Sequence, residues 1–175
     1  HPITREEGEG VSGLYNLLEV LRNRRVGFVI FTASNADNSG DRVNQILQEF
    51  VAQQSIPCSF VPSLGSERYW SVLHCVSAVV GNSSSGVIEA PSIPVGSINI
   101  GDRQKGRTRA TSVIDCGSDT ESISEAFDIV ESMGYQKTLQ SVINPYEKVS
   151  VSRTIVAALE SWPLSELKRK PFFDI

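Results

Sequence analysis

Ser77-Ala78-Val79-Val80-Gly81-Asn82-Ser83-Ser84-Ser85-Gly86-Val87-Ile88-Glu89-Ala90-Pro91 reads as a short apolar strand, a loop of glycine and serine, and the start of a helix. A strand that runs through such a loop into a helix is the repeating unit of a parallel α/β sheet. Working outward, the unit recurs. Upstream, Glu67 to Cys75 has helical character and Ser59 to Pro62 reads as a strand. Before these, Val43, Ile46, Leu47, Phe50 and Val51 make one apolar helix face, and Val26 to Thr32 is a nearly continuous apolar run, as expected for a parallel strand buried on both faces. Leu14, Leu17, Leu18 and Leu21 place a first helix over Gly8 to Arg24, with Glu6, Glu7 and Glu9 at its start. Downstream lie strands at Val95 to Ile100 and Ser112 to Cys116, helices over Asp119 to Met133 and Ser152 to Trp162, and a polar tail carrying Phe172 and Phe173. The alternation predicts an α/β fold, a Rossmann-like doubly wound parallel sheet.

The 175 residues suffice for one domain with its own core, and no repeat or low-complexity linker divides them. The expected organisation is therefore a single domain over residues 1–175 with a C-terminal helix and tail. A net charge of -4 disfavours a broad grip on nucleic acid, and no apolar run approaches the roughly 20 residues that span a bilayer. Cys58, Cys75 and Cys116 are an odd, widely spaced set, which suggests reduced, buried structural thiols and a cytoplasmic protein. With only His1 and His74 and no cluster at metal-ligand spacing, no zinc site is expected. His74, between Leu73 and Cys75 in a predicted helix, is expected to be structural. The start His1-Pro2-Ile3-Thr4 has neither an initiating Met nor a secretory signal and suggests a piece of a longer gene product.

In an open α/β sheet, ligands bind at the carboxyl ends of the strands, so the loops after Thr32, Pro62, Val80 and Ile100 should share one edge. Gly81 to Gly86 can hold a phosphate on backbone N–H groups at the helix start, with three serine hydroxyls as further donors. The loop lacks both Gly-x-Gly-x-x-Gly and Gly-Lys-Ser/Thr, which argues against a nicotinamide oxidoreductase and a nucleoside triphosphatase. A flexible serine-capped loop would have the same local composition. Glu89 lies about one turn beyond Gly86, where a carboxylate serves either as a ribose anchor or as a favourable charge near a helix start. Gly101-Asp102-Arg103-Gln104-Lys105-Gly106-Arg107-Thr108-Arg109 brings four cations to one loop, and arginine suits bidentate phosphate binding. Imidazole in general titrates near neutrality, so His1 suits an acid, base or phosphate donor, or is simply a frayed terminus.

The run Val80 to Ser92, continued through Ile98-Asn99-Ile100-Gly101-Asp102-Arg103-Gln104-Lys105-Gly106-Arg107, resembles the C-terminal half of the hydrolysing UDP-N-acetylglucosamine 2-epimerases. His1-Pro2-Ile3-Thr4, Ser34-Asn35-Ala36-Asp37, Ser63-Leu64-Gly65, Asn144-Pro145-Tyr146 and Lys170-Pro171-Phe172-Phe173-Asp174 extend the resemblance over essentially the whole chain. Pro94-Val95-Gly96, Asp41 after Gly40, and Glu147-Lys148-Val149 depart from the family pattern. The resemblance implies two Rossmann-like domains in a glycosyltransferase-B arrangement, of which this chain is the nucleotide-binding one and lacks the N-terminal catalytic one. It also implies that Ser83, Ser84, Ser85 and Gly86 hold the diphosphate and Glu89 the ribose. Arg103 would stabilise the leaving UDP, Asn35 would lie near the nucleotide, and His1 would face the diphosphate or sugar. The family reaction eliminates UDP to a glycal and adds water to give N-acetylmannosamine for sialic or related nonulosonic acids, with no cofactor. The expected partners are a UDP-sugar, the N-terminal domain and further copies of the full-length chain, with no nucleic acid or membrane. The isolated piece is expected to bind UDP weakly and not to turn over. Two alternatives share the fold: the nucleotide half of a UDP-sugar glycosyltransferase, and a non-catalytic UDP-binding module.

Overall fold

The computed structural model describes residues 9–34 and 38–162. The chain divides into two compact units, residues 1–145 and residues 146–175.

The first unit alternates helices and parallel strands in the predicted order. Helix α1 (Glu9–Asn23) precedes β1 (Val29–Thr32), α2 (Asn38–Ala52), β2 (Cys58–Val61), α3 (Gly65–Leu73) and β3 (Ala78–Gly81). After α4 (Ser85–Ile88) and a 3-10 turn at Ala90–Ser92 come β4 (Gly96–Ile100), a second 3-10 turn at Asp102–Gln104, β5 (Val113–Cys116), α5 (Thr120–Glu131) and α6 (Met133–Thr138). The strands form two parallel ladders, β1-β2 and β3-β4-β5, rather than one continuous sheet. Their registers pair Phe31 with Phe60, Val80 with Ile98 and Ile98 with Ile114.

The pairing explains a departure at β1. A strand buried on both faces was expected, yet only Phe31 is buried while Ile30 and Thr32 are exposed. β1 bonds to β2 alone, and an outer strand keeps one side open. Both ladders nevertheless share one core, in which Phe31, Phe50, Ile98, Ile123 and Phe127 join Leu18 and Leu21 of α1. Phe31 and Phe50 meet edge to face at 5.7 Å.

Local chemistry sets the element ends. Asp119 caps α5, its carboxylate accepting from the Ser122 N–H at 2.8 Å. The predicted helix to Met133 stops at Glu131 instead, because Ser132 turns extended and caps α6 by accepting from the Tyr135 N–H at 3.2 Å. Arg24 ties α1 to α5 through Asp128 at 2.7 Å and Glu131 at 2.8 Å. β4 begins at Gly96, one residue later than predicted, where an added Cβ would stand 3.2 Å from the Tyr135 ring.

Two residue-level expectations fail. His74 is not inside α3 but closes it, exposed, with its backbone N–H on the Trp70 carbonyl. Cys75 is exposed rather than a buried thiol, whereas Cys58 and Cys116 are partly buried. In the second unit, α7 (Val151–Ser161) matches the predicted final helix.

Candidate functional site

The serine loop starts at Gly81, whose φ of +142° is a conformation that side-chain-bearing residues rarely adopt. The chain then enters α4, a single turn, where the sequence had suggested a helix from Val87 to about Pro91. A dipole builds from aligned peptides, so one turn contributes little, and anion binding here falls to individual N–H and hydroxyl groups. Gly86 is buried against β4. A Cβ on it would lie 2.7 Å from the Ser97 hydroxyl, so close helix-to-strand packing demands glycine. Asn144 holds the segment from behind, donating to the Ile88 carbonyl at 2.8 Å and the Ser92 hydroxyl at 2.7 Å.

The loop after β4 opens at Gly101, with φ +73°. It is bonded directly to the serine loop. Arg103 Nη1 donates to the Asn82 carbonyl at 3.1 Å and Gln104 Nε2 to the same oxygen at 2.8 Å. The four cations of this loop are not equivalent. Lys105 pairs with Asp102 at 3.2 Å and Arg109 with Asp115 at 3.0 Å. Among the described residues, Arg103 and Arg107 have no carboxylate partner.

The three serines also separate. The Ser83 hydroxyl accepts from the Ser85 N–H at 3.3 Å and keeps its own proton to donate. The Ser85 hydroxyl donates to Glu89 Oε2 at 2.7 Å and is also bonded to the Tyr69 hydroxyl. Its proton is therefore used inside the protein. Tyr69 comes from α3, the helix after β2, which thus reaches the serine loop that follows β3 and is bonded to the loop after β4. Burial pushes the Tyr69 phenol upward, with the Ser85 bond opposing and the Glu89 charge adding to the shift. Nothing in the spacing of the sequence signalled Tyr69, since it sits sixteen residues from Ser85 on another element.

Beside this constellation, a cavity of about 330 Å³ opens between Gly101, Asp102, Lys105, Arg109, Asp115, Cys116 and Gly117. Its cations are already paired, and burial, with Asp119 and Asp115 adding, pushes the Cys116 thiol up to about 11. The space suits a neutral group better than a phosphate or a thiolate reaction. Among the described residues no group of three or more His, Cys, Asp or Glu side chains could hold a metal ion, and no helix is long and apolar enough to cross a membrane. His1 and Asn35 lie outside the described residues.

Known proteins resemble this chain in sequence and in fold. The chain is 34% identical to GDP/UDP-N,N'-diacetylbacillosamine 2-epimerase (hydrolyzing) of Campylobacter jejuni, over all of this chain and 45% of that protein. It is 36% identical to the polysialic acid biosynthesis protein P7 of Escherichia coli, over 83% of this chain and 37% of that one. The chain thus spans less than half the length of these curated relatives. A crystal structure from Listeria monocytogenes, described as a UDP-N-acetylglucosamine 2-epimerase, superposes with a TM-score of 0.65 at 16% identity. It covers 99% of this chain and 46% of that one, so the α/β fold is that of somewhat less than half of a longer chain. The UDP-N-acetylglucosamine 2-epimerase profile matches residues 1–160, and the chain belongs to that family.

Proposed function

We propose that this chain is the UDP-binding half of a hydrolysing UDP-N-acetylglucosamine 2-epimerase. The observation that carries the reading is the pair of hydrogen bonds from Arg103 and Gln104 to the Asn82 carbonyl, which fastens an arginine-bearing loop to a serine loop one turn before Glu89. Ser83, Ser84 and the backbone of Ser85 and Gly86 take the diphosphate, Arg103 the charge on its leaving oxygen, and Glu89 the ribose. His1 and Asn35 complete the set.

In the proposed reaction a base removes the C2 proton while the C1–O bond breaks, and its electron pair departs with UDP to leave a glycal. Water then adds, its hydroxyl to C1 and a proton to the opposite face of C2, giving N-acetylmannosamine. The described residues serve the leaving group, because donors aimed at developing phosphate charge lower this barrier most. Base chemistry belongs to the other half, so residues 1–175 alone bind UDP without turnover.

The Campylobacter relative's name favours a second substrate, the UDP-diacetamido sugar, in the same site. The test is to incubate the complete gene product with each sugar nucleotide in deuterated water and follow products by NMR. Release of UDP with a free sugar deuterated at C2 is the expected result. An equilibrating pair of sugar nucleotides that keep their UDP would overturn it, and transfer of the sugar to an acceptor would indicate a glycosyltransferase.

A further inference from the structure

Glu89 is an exposed carboxylate at the end of a one-turn helix, a position where a side chain ordinarily samples several rotamers. Here it is held. An ionised carboxylate only accepts, so the Ser85 hydroxyl must give it its single proton. The Ser85 oxygen can then only accept from Tyr69, which fixes the direction of the chain: Tyr69 O–H to Ser85 O–H to Glu89 Oε2. Hydrogen bonds aligned in this way polarise and strengthen one another.

The far end of the relay is anchored. Tyr69 packs against the buried cluster of Leu73, Ala90, Ile93 and Val95, so its hydroxyl arrives from α3 at a set place. Ser85 and Glu89 share one short turn and would move together. Tyr69 ties that turn to a second element. The relay occupies Oε2, and among the described residues Oε1 has no partner.

We propose that Tyr69 is a positioning residue that, through Ser85, aims Glu89 Oε1 at the ribose and makes the site select ribonucleotides over 2'-deoxyribonucleotides. This rests on the reading of Glu89 as the ribose anchor. A fixed acceptor rejects a ligand lacking the hydroxyl because the carboxylate oxygen is left desolvated without a partner, whereas a mobile one turns back to water.

The experiment measures UDP and 2'-deoxy-UDP binding by calorimetry on the complete gene product, for the parent, Glu89→Ala, Tyr69→Phe, Ser85→Ala and Ser85→Thr. The parent should prefer UDP, and Glu89→Ala should remove that preference. Tyr69→Phe, which keeps the ring in its cluster, should cut the preference about threefold to tenfold by weakening UDP alone. Ser85→Ala should match it, and Ser85→Thr, which restores a hydroxyl, should regain the preference. Unchanged 2'-deoxy-UDP affinity shows that the fold is intact. If Glu89→Ala abolishes the preference but Tyr69→Phe leaves it whole, or weakens both nucleotides equally, the relay is overturned and the ribose anchor stands. No preference in the parent, or one that survives Glu89→Ala, overturns the anchor itself.

Discussion

Arg103 is exposed and its guanidinium is held by the Asn82 carbonyl and, among the described residues, by no carboxylate, so on the proposed reading its full charge is available to a departing diphosphate. Loss of one donor aimed at developing charge slows catalysis by about 10²- to 10³-fold. Arg103→Ala should therefore depress single-turnover UDP release by that factor, with Arg103→Lys between the two, since lysine keeps the charge without the planar fork. Asn144 braces the turn that follows the serine loop. It is buried, and Asn144→Ala would leave the Ile88 carbonyl and the Ser92 hydroxyl without its two donated bonds. The expected cost is about 1–3 kcal/mol, read from denaturant unfolding. The two thiols near the strands contrast with the third. At pH 8 a thiol of pKa near 11 is about one-thousandth thiolate. Cys75 should react with a thiol reagent in the folded protein well before Cys116.

At the scale of elements, α4 is pressed onto β4 at a point where even a methyl group does not fit. Gly86→Ala should destabilise by about 1–3 kcal/mol, and Ser97→Ala in the same chain should recover part of it. If the double variant is no more stable than the single one, the contact is not the cause. Helix α5 carries a pH signature. The Ser122 backbone and hydroxyl bonds hold the Asp119 carboxyl below its usual 3.8, so its capping contribution is present above that value and is lost as pH falls through the lower folded one. Asp119→Ala should lower the thermal midpoint at pH 7, and by progressively less as pH falls below 3.8. Most elements were legible in sequence, because each places apolar residues at the period its own geometry requires. What escaped were features set by another element: the open side of β1, the break at Ser132, and the link from Tyr69 to Ser85. The serine loop, Glu89 and the arginine loop were legible as neighbours on one edge. That two of the four cations would be paired to Asp102 and Asp115 was not, since a side chain's partner is decided by three-dimensional placement and not by composition.

For the whole molecule, the family and fold are shared with proteins more than twice as long, and on the proposed reading the described site serves the leaving nucleotide. Residues 1–175 should bind UDP in calorimetry yet release none from the sugar nucleotide. Turnover at the rate of the complete gene product would refute that division of labour. One bonding detail reaches further. Because a single carbonyl oxygen, that of Asn82, receives side chains from 21 and 22 residues further on, neither loop carries its shape by itself. Anyone transplanting this pair of loops onto another parallel scaffold would have to graft both segments together, with β3 and β4 in register, as one inseparable cassette.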